Sequence, residues 1–242
     1  MIERPLDLLH NSSLHCKLQK DAFRDEIQSY AEGLGYSVSA EIIPFGGTNL
    51  VFGDSKNAKY LVTSCYDLSC VATLLEIAGS VPQIHRNRVC FVLFDQKIFG
   101  LFGSGFYAKF QKAETKNQIV LHLASVGFGD HIRFFPTEKL KKDRRKLNPI
   151  YTCCGQFGNK FITIQEKRLL GWPSCHNHFS YGVSIYASKK RKPGPYHPYR
   201  IILLLGEGYL SHPVRVEQLP YGIYNVLAEC LYPVGEVHLQ TL

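Results

Sequence analysis

The chain has 242 residues, 45% of them hydrophobic, enough for one large core that needs no disulfide or metal staples. No apolar run, Ile201 to Leu205 included, approaches the roughly 20 residues that cross a bilayer, and the N-terminus has no apolar stretch of the secretory kind. A cytoplasmic protein without a transmembrane segment is therefore expected.

Residues 18 to 34 place Phe23, Ile27, Tyr30, Ala31 and Leu34 on one stripe, which predicts an amphipathic helix stopped near Gly33 and Gly35. Two strands follow, Thr48 to Gly53 and Ala58 to Tyr66, separated by turn residues. Residues 71 to 77 are apolar on nearly every face and predict a buried helix. Arg88 to Asp95 scarcely alternates, as in strands covered on both faces. A glycine-rich turn leads into a short helix near residues 106 to 109. Gln118 to Gly127 reads as a second central strand, and residues 131 to 135 as an outer one. Residues 137 to 172 are the least regular stretch, and we expect a variable basic insertion there. Beyond it, residues 182 to 190 and 199 to 208 read as strands, and Pro220 introduces a final helix. Alternating strands and helices argue for a three-layer α/β/α sandwich around a mixed, mostly parallel sheet. With no internal repeat or linker, residues 1–242 are expected to form one domain.

The eight cysteines are scattered, and no pair has the CxxC spacing; reduced thiols in and near the core are expected. The formal charge of +8 is concentrated in residues 137–147 and 188–192. Such runs allow an acidic partner or nucleic acid, but no recognition helix, zinc finger or aromatic RNA-binding strand accompanies them, so nucleic acid is disfavoured though allowed. The glycines at 100, 103 and 105 lack the Lys-Ser/Thr of a phosphate-binding loop.

The segment FDQKIFGLFGSGFYAKF, Phe94 to Phe110, resembles the signature of the M28 family of zinc exopeptidases, Phe-Asp-Gly-Glu-Glu-x-Gly-Leu-x-Gly-Ser. Asp95, Gly100, Leu101, Gly103 and Ser104 match in order and spacing. Upstream, YLVTSCYDLSC is similar to the family's strand ending in His-x-Asp. The Ser174-Cys175-His176-x-x-Phe179 segment resembles its Ser-Asp-His-x-x-Phe motif, and residues 209 to 220 its last metal-binding His motif. The four segments span roughly residues 49 to 231.

The resemblance implies a reaction run by two zinc ions bridged by an aspartate, with a glutamate as general base. The corresponding positions in this chain are largely unsuited to it. Cys65 stands at the first His position, with Asp67 retained beside it. The loop that would carry the bridging aspartate is missing between Leu68 and Cys70. Lys97 and Ile98 replace the two glutamates, and Ala124 replaces the next aspartate. His212, or His197 if the segment is offset, is the last surviving candidate ligand. The ordinary two-zinc mechanism is therefore not expected, and the vestigial positions are Cys65, Asp67, Lys97, Ile98, Ala124, His176 and His212.

No cofactor is expected on this reading. The alternative is one zinc on Cys65, Cys70 and His212, with His176 or His197 as alternates, or a nucleophilic pair of Cys65 or Cys175 with a nearby His. The leading expectation is a degenerate peptidase-like protein with a peptide- or protein-binding or structural role, its cleft ringed by Tyr66, Phe99, Phe102, Trp172 and His176. An atypical aminopeptidase-like hydrolase is the competing expectation. The sequence leaves the oligomeric state open.

Overall fold

The structure, a computed structural model, describes residues 17–44, 46–97, 100–111, 115–126, 131–156, 162–164 and 174–188. Helix α1 spans Lys17–Gly33 and buries the stripe Phe23, Ile27 and Ala31, spaced four apart as one helical face requires. It is followed by β1 (Val38–Ile43), β2 (Gly47–Phe52), β3 (Tyr60–Cys65), α2 (Leu68–Ser80) and β4 (Val89–Phe94). Then come α3 (Phe102–Phe110), β5 (Ile119–Ser125), β6 (His131–Pro136), α4 (Glu138–Lys142) and α5 (Arg144–Gln156), with β7 (Ile162–Ile164) and β8 (Gly182–Ser188) completing the sheet.

Among the described residues, eight strands form one sheet in the order β1-β2-β4-β3-β5-β8-β6-β7. Its centre, β4-β3-β5-β8, is parallel, while β1, β2 and β6 join antiparallel neighbours. Every residue of β3 and β4 is buried, as expected of strands with helices on both faces. The period of two divides the core cleanly. Val62, Phe91, Leu93, Leu121 and Leu123 pack with α1, α2, Leu140 of α4, and Leu147 and Ile150 of α5. Leu61, Cys90, Val92, Phe94 and Val120 face the other way, toward α3 and the turn Cys175–His178. Each fully buried Leu or Phe contributes about 1.5–3 kcal/mol. This is the three-layer sandwich read from the sequence.

Three local readings change. Strand β6 is not an outer strand, because β7 pairs beyond it. Strand β1, not recognised in the sequence, lies at the opposite edge, where its half-exposed residues give no clear alternation. Residues 138–156, irregular by sequence, form α4 and α5. The expected strand at 199–208, the final helix, Ile98, Phe99, Trp172, His197 and His212 lie outside the described residues. Among the described residues no helix is long and apolar enough to cross a membrane.

Candidate functional site

The signature loop leaves β4 at Asp95, which is 4% exposed and almost fully engaged. One carboxylate oxygen accepts from Lys20 Nζ at 2.9 Å and from the Gln96 amide at 2.6 Å; the other accepts from the Thr48 amide at 3.2 Å, with an Arg24 guanidinium nitrogen at 3.9 Å. Burial works against its charge, but the bonds from Lys20, Gln96 and Thr48 outweigh burial and hold its carboxyl below the ordinary value. Asn49, fully buried, ties this loop to α3: its Oδ1 accepts from the Asp95 amide at 3.0 Å, and its Nδ2 donates to the Gly103 carbonyl at 3.0 Å.

Gln96 takes the place of the signature's first glycine and still has a left-handed backbone, φ 54°, as do Gly100 at 85° and Leu101 at 63°. A side chain in that region crowds the following carbonyl at a cost of about 1–2 kcal/mol, which a glycine avoids at an entropic cost of about 0.5–1 kcal/mol. Gln96→Gly is therefore expected to raise stability by about 0.5–1 kcal/mol in a urea titration. An unchanged or lower midpoint would mean that the Gln96 side chain offsets the strain.

On the α3 side of the sheet, three donors converge. Cys65 closes β3, His122 lies mid-way along β5, and Cys175 opens the turn Cys175–His178; they are 4%, 1% and 1% exposed. Their ligand atoms all lie within 4.8 Å of one another, and the two Sγ atoms are 3.5 Å apart. Thr63, two residues before Cys65 and hence on the same face, contacts His122 Nδ1 through Oγ1 at 3.0 Å. With Nδ1 so engaged, Nε2 is the ring atom left for a ligand, and a hydroxyl partner of this kind is what orients a metal-bound imidazole. The thiols titrate as a pair: their mutual hydrogen bond raises Cys65, with burial adding, and lowers Cys175, where His122 and Ser104 assist against burial. Ser104, fully buried on α3, also reaches His178 Nδ1 at 3.0 Å, which links the cluster to an exposed imidazole.

The other sequence candidates are placed elsewhere. Cys70 is fully buried in the core on the opposite face of the sheet, away from Cys65, and burial first, then the Asp67 charge, pushes its thiol up. Asp67 caps α2, accepting from the Cys70 amide at 3.3 Å and the Ser69 hydroxyl at 2.8 Å. Lys97 is exposed and has no ion pair with Asp67 or Asp95 among the described residues; partial loss of water pulls its ammonium down, but Cys65, Cys70 and Asp67 outweigh this and leave it raised. Ala124 is buried on β5, two residues beyond His122. His176 is 7% exposed, with Nδ1 on the Ser174 hydroxyl at 2.9 Å. Tyr66 is half-buried and donates to the Thr48 carbonyl at 3.2 Å, whereas Phe102 is 50% exposed at the start of α3.

A bridged pair of zinc ions does not fit these residues: a cation and a methyl group stand where carboxylates are needed, at Lys97 and Ala124. One soft or borderline ion fits Cys65, His122 and Cys175 better. Two ligands at about 2.3 Å from a tetrahedral zinc lie about 3.8 Å apart, close to the observed thiol separation. His122 escaped the sequence reading because a lone His within an apolar strand looks like core. Its place two residues before Ala124, on the same face, was the available signal.

No family model matches the chain, and no curated protein does. Among solved structures it is similar to a zinc-dependent exopeptidase from Parabacteroides distasonis, with 14% identity, a TM-score of 0.67, and coverage of 95% of this chain and 94% of that one. The LapA aminopeptidase of Legionella pneumophila aligns with 12% identity and a TM-score of 0.67, over 96% of this chain and 71% of LapA. A glutaminyl cyclase from Fimbriiglobus ruber aligns with 16% identity and a TM-score of 0.62, over 95% and 92%. Identities this low speak for architecture alone. The chain has the zinc-exopeptidase fold, and among the described residues a Cys-His-Cys cluster is its candidate metal centre.

Proposed function

We propose that the protein is an atypical hydrolase of the aminopeptidase kind, working from a single metal ion held by Cys65, His122 and Cys175. The supporting observation is the convergence of three metal-competent donors from separate segments to within 4.8 Å. A zinc ion with three protein ligands keeps a fourth position for water and acts there as a Lewis acid. The chain's own residues supply the rest. Thr63 fixes the His122 ring, and Ser104 connects Cys175 to His178, whose exposed imidazole can pass a proton to solvent.

A second reading is favoured by the burial of all three donors: the cluster is structural, and the protein is a degenerate peptidase homologue that binds a peptide or protein. The two separate in one experiment on protein purified without added metal or chelator. Elemental mass spectrometry is expected to find about one zinc per chain, lost in Cys65→Ala, His122→Ala and Cys175→Ala and kept in Cys70→Ala. Hydrolysis of a panel of aminoacyl arylamides should follow the zinc. Zinc without hydrolysis supports the second reading, and absence of metal from the folded protein removes the first.

A further inference from the structure

The basic segment has a shape that the candidate metal centre does not use. Helix α4 ends at Asp143, whose backbone (φ −94°, ψ 82°) turns the chain before α5 begins at Arg144. The turn brings Lys139 and Lys142 of one helix and Arg144 and Arg145 of the next around a single hollow of about 550 Å³, completed by Asp143 and Tyr181. Tyr181 precedes β8, and its carbonyl accepts from the Val120 amide at the start of β5. The hollow therefore lies by the N-terminal end of the parallel strands, whereas Cys65 closes β3 at the other end.

The cations differ in what occupies them. Lys141 is paired with Glu138 at 2.8 Å. Lys146 donates to the Asn117 carbonyl at 2.8 Å and lies 3.5 Å over the Tyr181 ring; Lys139 contacts the Ser180 hydroxyl at 3.3 Å and lies 4.9 Å from the same ring. Burial, and then the like charge of Lys139, lowers the Lys146 ammonium against the opposing pull of Asp143. Lys142, Arg144 and Arg145 are exposed and have no hydrogen bond or ion pair among the described residues. Three uncommitted cations thus share one concavity with a single carboxylate.

Phosphate suits this arrangement. A guanidinium fork matches two phosphate oxygens, and an ammonium adds a compact point charge. The hollow is open to solvent, which suits a charged ligand that keeps part of its hydration. The Tyr181 ring already carries Lys139 and Lys146, so it is not free to stack a nucleobase. We propose that this hollow binds a small phosphate-bearing polyanion through Lys142, Arg144 and Arg145. The inference is independent of the metal cluster.

The test is calorimetric titration of the full chain with inorganic tripolyphosphate, repeated with the double variant Arg144→Ala/Arg145→Ala. A control pair, Lys56→Ala/Lys109→Ala, removes the same charge from exposed positions elsewhere. The arginine pair is expected to weaken binding by about 10-fold or more, since a charge-assisted hydrogen bond contributes about 1.5–3 kcal/mol, while the control pair should change it less than about 2-fold. Equal weakening in both pairs, or no heat at any concentration tested, overturns the proposal. A mixed-sequence DNA or RNA duplex that binds far more tightly than tripolyphosphate, with a steep salt dependence, overturns it in favour of a polymer.

Discussion

Gly103→Ala should cost about 3 kcal/mol or more, a large share of the roughly 5–15 kcal/mol by which a domain is ordinarily stable. A Cβ at this position would stand 2.4 Å from the Asp95 carbonyl oxygen, 2.6 Å from Asn49 Oδ1 and 2.9 Å from the Asp95 amide nitrogen. None of these can yield cheaply. Two are backbone atoms at the end of a central strand, and the third belongs to a fully buried side chain held by hydrogen bonds on both of its polar atoms. Gly105 in the same helix is the natural contrast: a Cβ there first meets the His178 ring at 3.3 Å, the tip of an exposed side chain. Gly105→Ala should stay within about 1 kcal/mol of the parent, because alanine's helix propensity offsets a small adjustment. Urea unfolding of the two variants measures the difference. Equal midpoints would mean that α3 does not approach β4 this closely in solution.

Asp95→Asn is the second large effect expected, about 2–3 kcal/mol at neutral pH, the range for hydrogen bonds to a buried charged group. The figure lies below that for breaking a fully buried ion pair because the Lys20 side chain is 38% exposed. The amide cannot serve Lys20, Arg24, Thr48 and Gln96 at once, and its NH₂ would face donors. The pH dependence has a definite sign. The folded-state pKa lies below the ordinary value of 3.8, so the unfolded chain takes up a proton first as pH falls. The stabilisation is complete above 3.8 and is lost as pH drops through that value toward the lower folded one. The gap between parent and variant should be widest at neutral pH and shrink below pH 3.8. A gap independent of pH would assign the loss to packing instead of charge.

These two residues explain why the fold was more legible in the sequence than the chemistry. The junction between β4 and α3 has no room for a side chain at Gly103 and uses the Asp95 carboxylate as an acceptor, so both residues belong to the fold itself. At position 97, where the resemblance implies an acidic side chain, it is the backbone carbonyl of Lys97 that joins the turn, accepting from the Leu101 amide at 3.3 Å, so the turn does not depend on which side chain stands there. The apolar strands β3, β4 and β5 and the stripe of α1 were likewise readable, since burial on two faces or one imposes its own pattern. The helices α4 and α5 were hidden because many of their residues are cations around a hollow and Pro149 stands inside α5, while Leu140, Leu147 and Ile150 are the buried apolar residues among the described side chains. Cys65 and Cys175 were both noticed, but their meeting across 110 residues is a fact of sheet order that spacing cannot reveal. Strand alternation brings His122 to them, whereas Cys70, five residues after Cys65, is already on α2 and packs with that helix on the far face.

The sheet order also constrains how the chain comes off the ribosome. Strand β8 is late in the sequence yet sits inside the sheet, with β5 on one side and β6 on the other. Until Gly182–Ser188 has emerged, β5 has no partner on one flank, and the β6-β7 pair has no sheet to join. A nascent chain that stalls before this point bears two bare edges that belong in the interior, one of them on a strand buried along nearly its whole length. Among the described residues, Gly182–Ser188 is therefore the strand whose arrival covers both of these edges, and the interval before it is when a chaperone would have most to hold.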